Sequence, residues 1–206
     1  MKKILSISLL LTTIFLLLGC NNNNSKSSEQ KELTKNRKLW QSKRPQNYSF
    51  VVHPLCYCVD IKDTFVRVRD HNVSSAKYIP SNIELDEEAI KKEYRISGYF
   101  DFIQEAIDED ADEIKVDYND TYGYPQQIAI DYNKGTADEE MSYIITHFNR
   151  TLEDGTVVCT KEYRPVCAKV AVQCITTPCE SVEQTFSNRC LLDANPLARY
   201  FKDGEC

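Results

Sequence analysis

The sequence predicts an α+β protein in which an antiparallel sheet carries one main helix and is followed by a small disulfide-rich domain. Several short segments alternate polar and apolar residues, as strands with one buried face do. One segment in the middle of the chain instead repeats its apolar residues at helical spacing. Six of the nine cysteines lie in the last 48 residues, a density typical of a small domain held by disulfides.

The N-terminal segment MKKILSISLLLTTIFLLLGC indicates export. Lys2 and Lys3 precede an apolar run of roughly fifteen residues, which is short for a membrane span and typical of a signal peptide. The run ends in Leu-Leu-Gly-Cys, which resembles the lipobox of bacterial lipoproteins. The resemblance implies that residues 1–19 are removed and that Cys20 is acylated, with palmitate among its lipids. Cys20 would then anchor the protein in the membrane of the cell envelope, outside the cytoplasm. The alternative is an ordinary signal peptide in which a cysteine stands near the cleavage site by chance.

The segment 20–32 consists of Cys20 and the stretch NNNNSKSSEQKE, which is polar and has no apolar residue. A stretch of this composition has nothing to bury, so we expect a disordered tether between the lipid and the folded chain. Without Lys2 and Lys3 the mature chain has 23 basic and 31 acidic residues, a net charge of −8. This balance, with no basic patch among the aromatic residues, argues against nucleic acid as a partner.

Residues 33–152 are predicted to form the α+β domain. The segment 98–110 has Phe100, Ile103 and Ile107 on one helical face and is the expected main helix. Strands are expected on both sides of it, in the order ββ(β)–α–βββ. The expected strands are QNYSFVVH (46–53), TFVRVRD (64–70), EIKVDYN (113–119), PQQIAIDY (125–132) and SYIITHFN (142–149).

The order of short motifs in this domain resembles a family of exported bacterial lipoproteins of unknown function. These motifs span about 110 residues: Trp40, the Tyr48-x-Phe50 strand, Cys-Tyr-Cys at 56–58, FDFI at 100–103, Gly-Tyr-Pro at 123–125, IAID at 128–131 and Asp-Glu-Glu at 138–140. The family has no assigned activity, so the resemblance implies a fold and a compartment but no chemistry.

Cys56 and Cys58 are the two cysteines of this domain. They alternate along an expected strand, so they point to one face and are expected to bond to each other. A reactive dithiol is the alternative, although nothing nearby supplies the electropositive setting that a thiolate needs.

Candidate metal ligands are scattered. His53, His71 and His147 show no metal-ligand spacing, which predicts solvated or hydrogen-bonded histidines. The acidic run at 108–113 has Glu113 where a calcium loop requires glycine. We therefore expect no metal, no cofactor and no enzymatic activity.

The C-terminal segment carries the most specific motifs. CTKEYRPVC at 159–167 is followed by QTFSNRC at 184–190 and KDGEC at 202–206. These three motifs resemble the Kazal family of serine protease inhibitors over the last 48 residues. The resemblance implies a Kazal-like domain at 153–206 with a serine protease as its partner.

The resemblance also assigns roles around a loop that a protease binds like a substrate. Thr160 and Lys161 precede the scissile bond, which joins Lys161 to Glu162, and Tyr163 lies on the leaving side. Lys161 is the specificity residue and would enter a pocket with an aspartate at its base, as in trypsin-like enzymes. Asn188 corresponds to the family asparagine whose side chain hydrogen-bonds the loop backbone on both sides of that bond.

The cysteines depart from the usual Kazal set of six. Four of them correspond to the second, third, fourth and sixth family cysteines, whereas the first and fifth, which bond to each other, are both missing. A long insertion, residues 168–183, carries two further cysteines. We expect the disulfides Cys159–Cys190 and Cys167–Cys206, with Cys174–Cys179 inside the insertion.

Two functions remain open at this point. The Kazal-like domain is expected to inhibit a trypsin-like protease, provided that the insertion leaves Lys161 accessible. The alternative is a non-inhibitory envelope lipoprotein, in which the same domain is a rigid structural or protein-interaction module and Lys161 is an ordinary solvated residue.

Overall fold

The computed structural model describes residues 22–56, 61–88, 90, 94–136, 140–173 and 179–206, with side chains from Lys26 onward. Its strands are β1 (Tyr48–Leu55), β2 (Thr64–Arg69), β3 (Asn72–Tyr78), β4 (Glu113–Tyr118), β5 (Pro125–Asp131), β6 (Met141–Arg150), β7 (Val166–Val170), β8 (Val182–Phe186) and β9 (Ala198–Asp203). Its helices include α1 (Asn22–Lys43), α2 (Ile96–Asp108) and α3 (Arg189–Asp193).

Two antiparallel sheets organise these strands. The first has six strands in the order β3-β2-β1-β6-β5-β4, and the second has three in the order β8-β7-β9. The predicted α+β class with antiparallel sheets is confirmed. Among the described residues, no helix is both long and apolar enough to cross a membrane.

Helix α1 corrects two expectations: residues 22–32 are not a disordered tether, and the first domain has a second long helix beside the expected one. Residues 22–32 are helical and continue into a half whose Leu33, Asn36 and Trp40 are buried. The side-chain amides of Gln30 and Gln104 exchange two hydrogen bonds of 2.9 and 2.8 Å, which joins the polar half of α1 to α2. Once its buried half is formed, a helix extends into polar residues at low cost, so composition alone was misleading here. Cys20 and the expected signal peptide lie outside the described residues.

Both long helices contribute to one core on one face of the six-stranded sheet. Helix α2 buries Phe100, Ile103 and Ile107 there, as its periodicity predicts. Trp40 of α1 packs edge-on against Tyr48 and Tyr124, with ring centroids 5.5 and 6.1 Å apart. The strands add buried side chains from alternate positions, among them Phe50, Val52, Val66, Val68, Ile128, Ile130 and Ile145.

The opposite face of the sheet receives the C-terminal module, which we define as residues 153–206. Paired residues of antiparallel strands point to the same side, so Val51 lies beside Thr146 and His53 beside Ile144 on this face. Leu192 and Ala198 of the module are both fully buried. Leu192 and Ala198, together with His53, Ile144 and Thr146 of the sheet, line a cavity of about 740 Å³ at the junction.

Gly123, in the Gly-Tyr-Pro turn before β5, allows α1 to approach the sheet closely. Its φ is +79°, which favours glycine, and an added Cβ would stand 2.6 Å from the carbonyl oxygen of Asn36 and 2.9 Å from Cβ of Leu39. These atoms belong to the helix, so they cannot move aside without displacing it. The turn motif is therefore a packing requirement of α1.

We expect Gly123→Ala to lower the free energy of unfolding by at least about 2 kcal/mol, because it combines a strained φ with a clash against helix backbone. Gly98→Ala is the matched control. Gly98 lies in α2 with nothing within 4 Å of its added Cβ, so this change should be neutral or stabilise by up to about 1 kcal/mol. Urea unfolding measures both, and equal effects of the two substitutions would contradict the packing of α1 on the turn.

Candidate functional site

The candidate site is the loop 159–165, which lies between a turn at 153–155 and β7 and has no regular secondary structure. Two disulfides hold its ends. Cys159 is bonded to Cys190 in α3, and Cys167 in β7 is bonded to Cys206, with S–S distances of 2.01 and 2.10 Å. These are the two pairs that the Kazal resemblance implies for the frame.

The remaining cysteines are described in part. Cys56 and Cys179 are each disulfide-bonded. Their expected partners, Cys58 and Cys174, lie outside the described residues. Strand β1 ends at Leu55, so Cys56 follows the strand rather than lying within it as expected.

Asn188 lies behind the loop and is 98% buried, with a relative exposure of 2%. Its Nδ2 donates to the carbonyl oxygens of Thr160 and Glu162, both at 3.0 Å, and so connects the backbone on both sides of Lys161. Its Oδ1 accepts from the backbone N–H of Leu191 at 3.0 Å, which caps α3. One side chain therefore uses its donor group to hold the loop and its acceptor to hold the helix beneath it.

The loop side chains face solvent. Thr160, Lys161 and Glu162 are exposed, and so is Tyr163 at 64%. The Tyr163 hydroxyl donates to the carboxylate of Glu205, and this hydrogen bond, with the nearby negative charge, raises the pKa of the phenol. Tyr163 is therefore tied to the C-terminal end of the chain while its ring stays accessible.

Backbone hydrogen bonds fix the second half of the loop. The N–H of Arg164 donates to Ser187 at 2.8 Å, and the N–H of Gly204 donates to Pro165 at 2.9 Å. The loop is thus held by two disulfides, one asparagine and the segments on both sides of it. A backbone restrained in this way has lost most of its conformational entropy before any partner binds.

The insertion 168–183 lengthens the β7–β8 hairpin. Val166 pairs with Phe186 next to the loop, whereas Val170 pairs with Val182 at the far end. Four residues of strand separate the two ends by about 13 Å. Beyond the far end, Gln173 approaches the carbonyl oxygen of Ser81 in the other domain at 3.5 Å. The described part of the insertion therefore leads away from Lys161 and does not cover it.

Sequence reasoning missed a second cluster, the junction network of Asp63, His53, Thr146, His147 and Ala198. Its contacts are Asp63 Oδ1 to His53 Nδ1 at 2.8 Å, His53 Nε2 to Thr146 Oγ1 at 2.8 Å, Thr146 Oγ1 to His147 Nδ1 at 2.9 Å and His147 Nε2 to Ala198 O at 2.7 Å. The two histidines are far apart in the chain and meet only because β1 pairs with β6. No spacing in the sequence indicates this.

Potential metal ligands converge at Cys167, Glu183 and Cys206 within the described part of the chain. Both sulfur atoms of this group are consumed by a disulfide, so a single carboxylate remains. The acidic run at 108–113 sends its carboxylates to separate partners: Asp110 contacts Lys26, and Asp112 accepts from the backbone of Lys134. Neither arrangement forms a coordination sphere among these residues.

Comparison with known protein families gives a match to the first domain. No curated protein and no solved structure matches the chain. Residues 32–150 match the family described as Family of unknown function (DUF6174), a range that covers α1 from residue 32 onward, α2 and all six strands of the first sheet. This range is more than half of the sequence and agrees with the expectation of an uncharacterised N-terminal family. The chain therefore belongs to this family of unknown function (DUF6174).

Proposed function

We propose that this protein is a lipid-anchored protein of the cell envelope whose C-terminal module is a Kazal-like inhibitor of trypsin-like serine proteases. Anchoring through Cys20 is the export part of this proposal and rests on the N-terminal sequence. The inhibitory part rests on the loop at 159–165. The observation that carries it is the Asn188 side chain, which holds the carbonyl groups on both sides of Lys161 at 3.0 Å.

The geometry of the loop suits binding in the manner of a substrate. An exposed segment without regular secondary structure can enter the cleft of a protease, and the Lys161 ammonium would pair with the aspartate at the base of a trypsin-like pocket. The protease would then face the Lys161–Glu162 peptide bond, with Tyr163 on the leaving side.

Restraint of the loop supports inhibition over simple cleavage. Association normally costs several kcal/mol for ordering flexible segments, and a loop that is already ordered avoids most of this cost. After a cut at Lys161–Glu162, the disulfides and Asn188 would keep the two new ends in place. Ends that cannot separate favour resealing of the bond and retention of the complex.

The exposure of Lys161 also bears on the non-inhibitory alternative. That alternative is favoured if the insertion shields the loop. The described residues of the insertion instead extend from the opposite end of the β7–β8 hairpin. One of them, Gln173, contacts the carbonyl oxygen of Ser81 in the first domain. The proposal therefore assigns the insertion to the junction between the domains and leaves the loop to the protease.

Lys161→Ala tests the specificity residue. We expect the full chain to inhibit trypsin at micromolar concentration or below and Lys161→Ala to weaken inhibition at least about 100-fold, since a central side chain of this kind contributes ~3 kcal/mol to binding. Lys161→Arg keeps the charge and is the matched control, with inhibition close to that of the wild type. Absence of inhibition by the wild-type chain at micromolar concentration, or inhibition unchanged in Lys161→Ala, would reject the proposal.

Asn188→Ser tests the brace separately from the fold. A serine at this position can still cap α3, but it loses the Nδ2 group that donates to Thr160 and Glu162. Loss of two hydrogen bonds of about 1 kcal/mol each should weaken trypsin inhibition about 10- to 100-fold.

Thermal unfolding is the control for Asn188→Ser, and a single cooperative transition lowered by only several degrees shows that the module still folds with its cap. Lys161→Ala should leave the melting temperature unchanged, because Lys161 is exposed. If Asn188→Ser folds normally and inhibits as well as the wild type, the brace has no part in the function.

A further inference from the structure

The junction network joins the two folded parts of the chain through polar contacts. Asp63 precedes β2, His53 lies on β1, and Thr146 and His147 lie on β6, all in the first domain. Ala198 is the first residue of β9 in the C-terminal module, and its carbonyl oxygen accepts from His147 Nε2 at 2.7 Å. The module is further attached by the ion pair of Arg199 with Asp63 at 3.0 Å and by the Asn149 amide, which donates to the Asp193 carbonyl at 2.6 Å.

A local distortion of β6 directs His147 to this position. Val51 pairs with Thr146 and Ser49 pairs with Asn149, so Phe50 lies opposite two residues of β6, His147 and Phe148. His147 has a φ of +51°, which is uncommon for a residue with a side chain. A bulge of this kind redirects a side chain, and here it brings the imidazole to the module.

Each of the four contacts in the network is a hydrogen bond and needs one proton between its two heavy atoms, so the network requires four protons. The Asp63 carboxylate and the Ala198 carbonyl can only accept hydrogen bonds, so they supply no proton. Two neutral imidazoles carry one N–H each, and the Thr146 hydroxyl carries one O–H, which makes three. The network is therefore complete only when one imidazole carries a second proton.

The number of protons that the network requires changes when the module leaves the sheet. Without the Ala198 carbonyl, His147 Nε2 can accept a hydrogen bond from water, and three protons then satisfy the three contacts that remain. The docked form thus has one more obligatory acceptor than the undocked form. We propose that docking of the C-terminal module onto the six-stranded sheet takes up one proton, which His53 and His147 share through Thr146, so that the junction is tighter in acid than in alkali.

The Asp63 carboxylate, 2.8 Å from His53 Nδ1, places the charge on the His53 side of the network. Desolvation lowers the pKa of His147, in spite of its hydrogen bond to Ala198, so its neutral form is favoured. Burial also opposes ionisation of Asp63, but the hydrogen bond and charge of His53, with the charge of Arg199, hold the pKa of Asp63 below its usual value. The added proton therefore lies beside a carboxylate.

Asp63, His53 and Thr146 stand in the order of acid, base and hydroxyl in a hydrolase triad. The position of the added proton decides whether they can act as one. A triad needs the Thr146 hydroxyl to donate to His53. With the proton on His53, its Nε2–H donates to Thr146 instead, and Thr146 donates to His147. The network is therefore arranged to hold an added proton between the two histidines rather than to activate a nucleophile.

The groups around the network set the range of pH over which docking responds. Asp63 and Asp193 balance Arg199 and Arg189, so the proton enters a region without net charge. Tyr124, whose pKa is raised by burial, and Tyr200, whose pKa is raised by its hydrogen bond to Asp203, stay neutral. Docking should weaken as pH rises through the histidine range and weaken again in strong acid, where protonation of Asp63 removes its pair with Arg199.

Nuclear magnetic resonance of the full chain, labelled with ¹⁵N and ¹³C, tests the proposal. Ring nitrogen signals count the protons on His53 and His147, and the exposed His71 serves as the internal reference. Methyl signals of Leu192 and Ala198 report the docked and undocked forms in low urea, over roughly pH 5 to 9. For one linked proton, the ratio of undocked to docked protein should rise by up to about tenfold per pH unit across the titration.

Two substitutions at one position provide the control. Thr146→Val keeps the shape but removes the hydroxyl, so only the contacts to Asp63 and to the Ala198 carbonyl remain. Each neutral imidazole supplies the one proton that its remaining contact needs, so the pH dependence of docking should disappear. Thr146→Ser restores the hydroxyl and should restore the dependence. A docking ratio that stays constant while the imidazoles titrate, or a dependence that is unchanged in Thr146→Val, would overturn the proposal. Neither result depends on whether the loop inhibits a protease.

Discussion

The antiparallel pairing of β1 with β6 is the constraint on which the rest of the structure depends. It runs from Tyr48 opposite Arg150 to Leu55 opposite Ser142 and joins the two halves of the six-stranded sheet. Alternate residues of the pair serve both faces: Val52 and Ile145 enter the helix-covered core, while His53 and Thr146 face the C-terminal module. The bulge at His147 lies within the same pairing, so the junction network exists only where these two strands meet.

Alternation of polar and apolar residues explains most of what the sequence could predict about the fold. The expected strands at 46–53, 64–70, 113–119, 125–132 and 142–149 each overlap an observed strand. The two-residue period matches burial well in β2, whereas the first five residues of β1 are buried on both faces because the C-terminal module covers the second one. The helix at 98–110 was evident from its periodicity too, with its apolar residues on one side. Helix α1 was not, since only Leu33, Leu39 and Trp40 are apolar in 22 residues. Its contacts with α2 and with the turn at Gly123 are tertiary and leave no local pattern.

The two candidate sites differ in how much of them the sequence contains. The loop at 159–165 is local: its cysteines, its Lys161 and its asparagine occur in a recognisable order, and the structure brings Asn188 against the backbone on both sides of Lys161. The junction network is not local, because His53, Asp63 and Thr146 come from three separate strands or their ends. A histidine in isolation predicts nothing, and its role here follows from the partner that strand pairing supplies.

The C-terminal module is small and therefore depends on its disulfides for stability. Among the described residues of the module, the buried apolar cluster has five members, Val166, Ala168, Val170, Leu192 and Ala198, which is a small core for an independent domain. Disulfides reduce the entropy of the unfolded chain and can stabilise such a domain by about 2–4 kcal/mol each. The same bonds hold the loop at 159–165, so the features that stabilise the module also order the proposed binding segment.

The most direct test of the proposed inhibitory loop is mass spectrometry of the full chain during prolonged incubation with a small amount of trypsin. The account predicts cleavage at Lys161–Glu162 that stops at a stable mixture of intact and cleaved chains, since the disulfides and Asn188 hold the new ends together. Addition of trypsin to isolated, cleaved chain should regenerate the intact bond and reach the same mixture. Complete cleavage at this bond without resealing, or cleavage elsewhere while Lys161–Glu162 stays intact, would contradict the account.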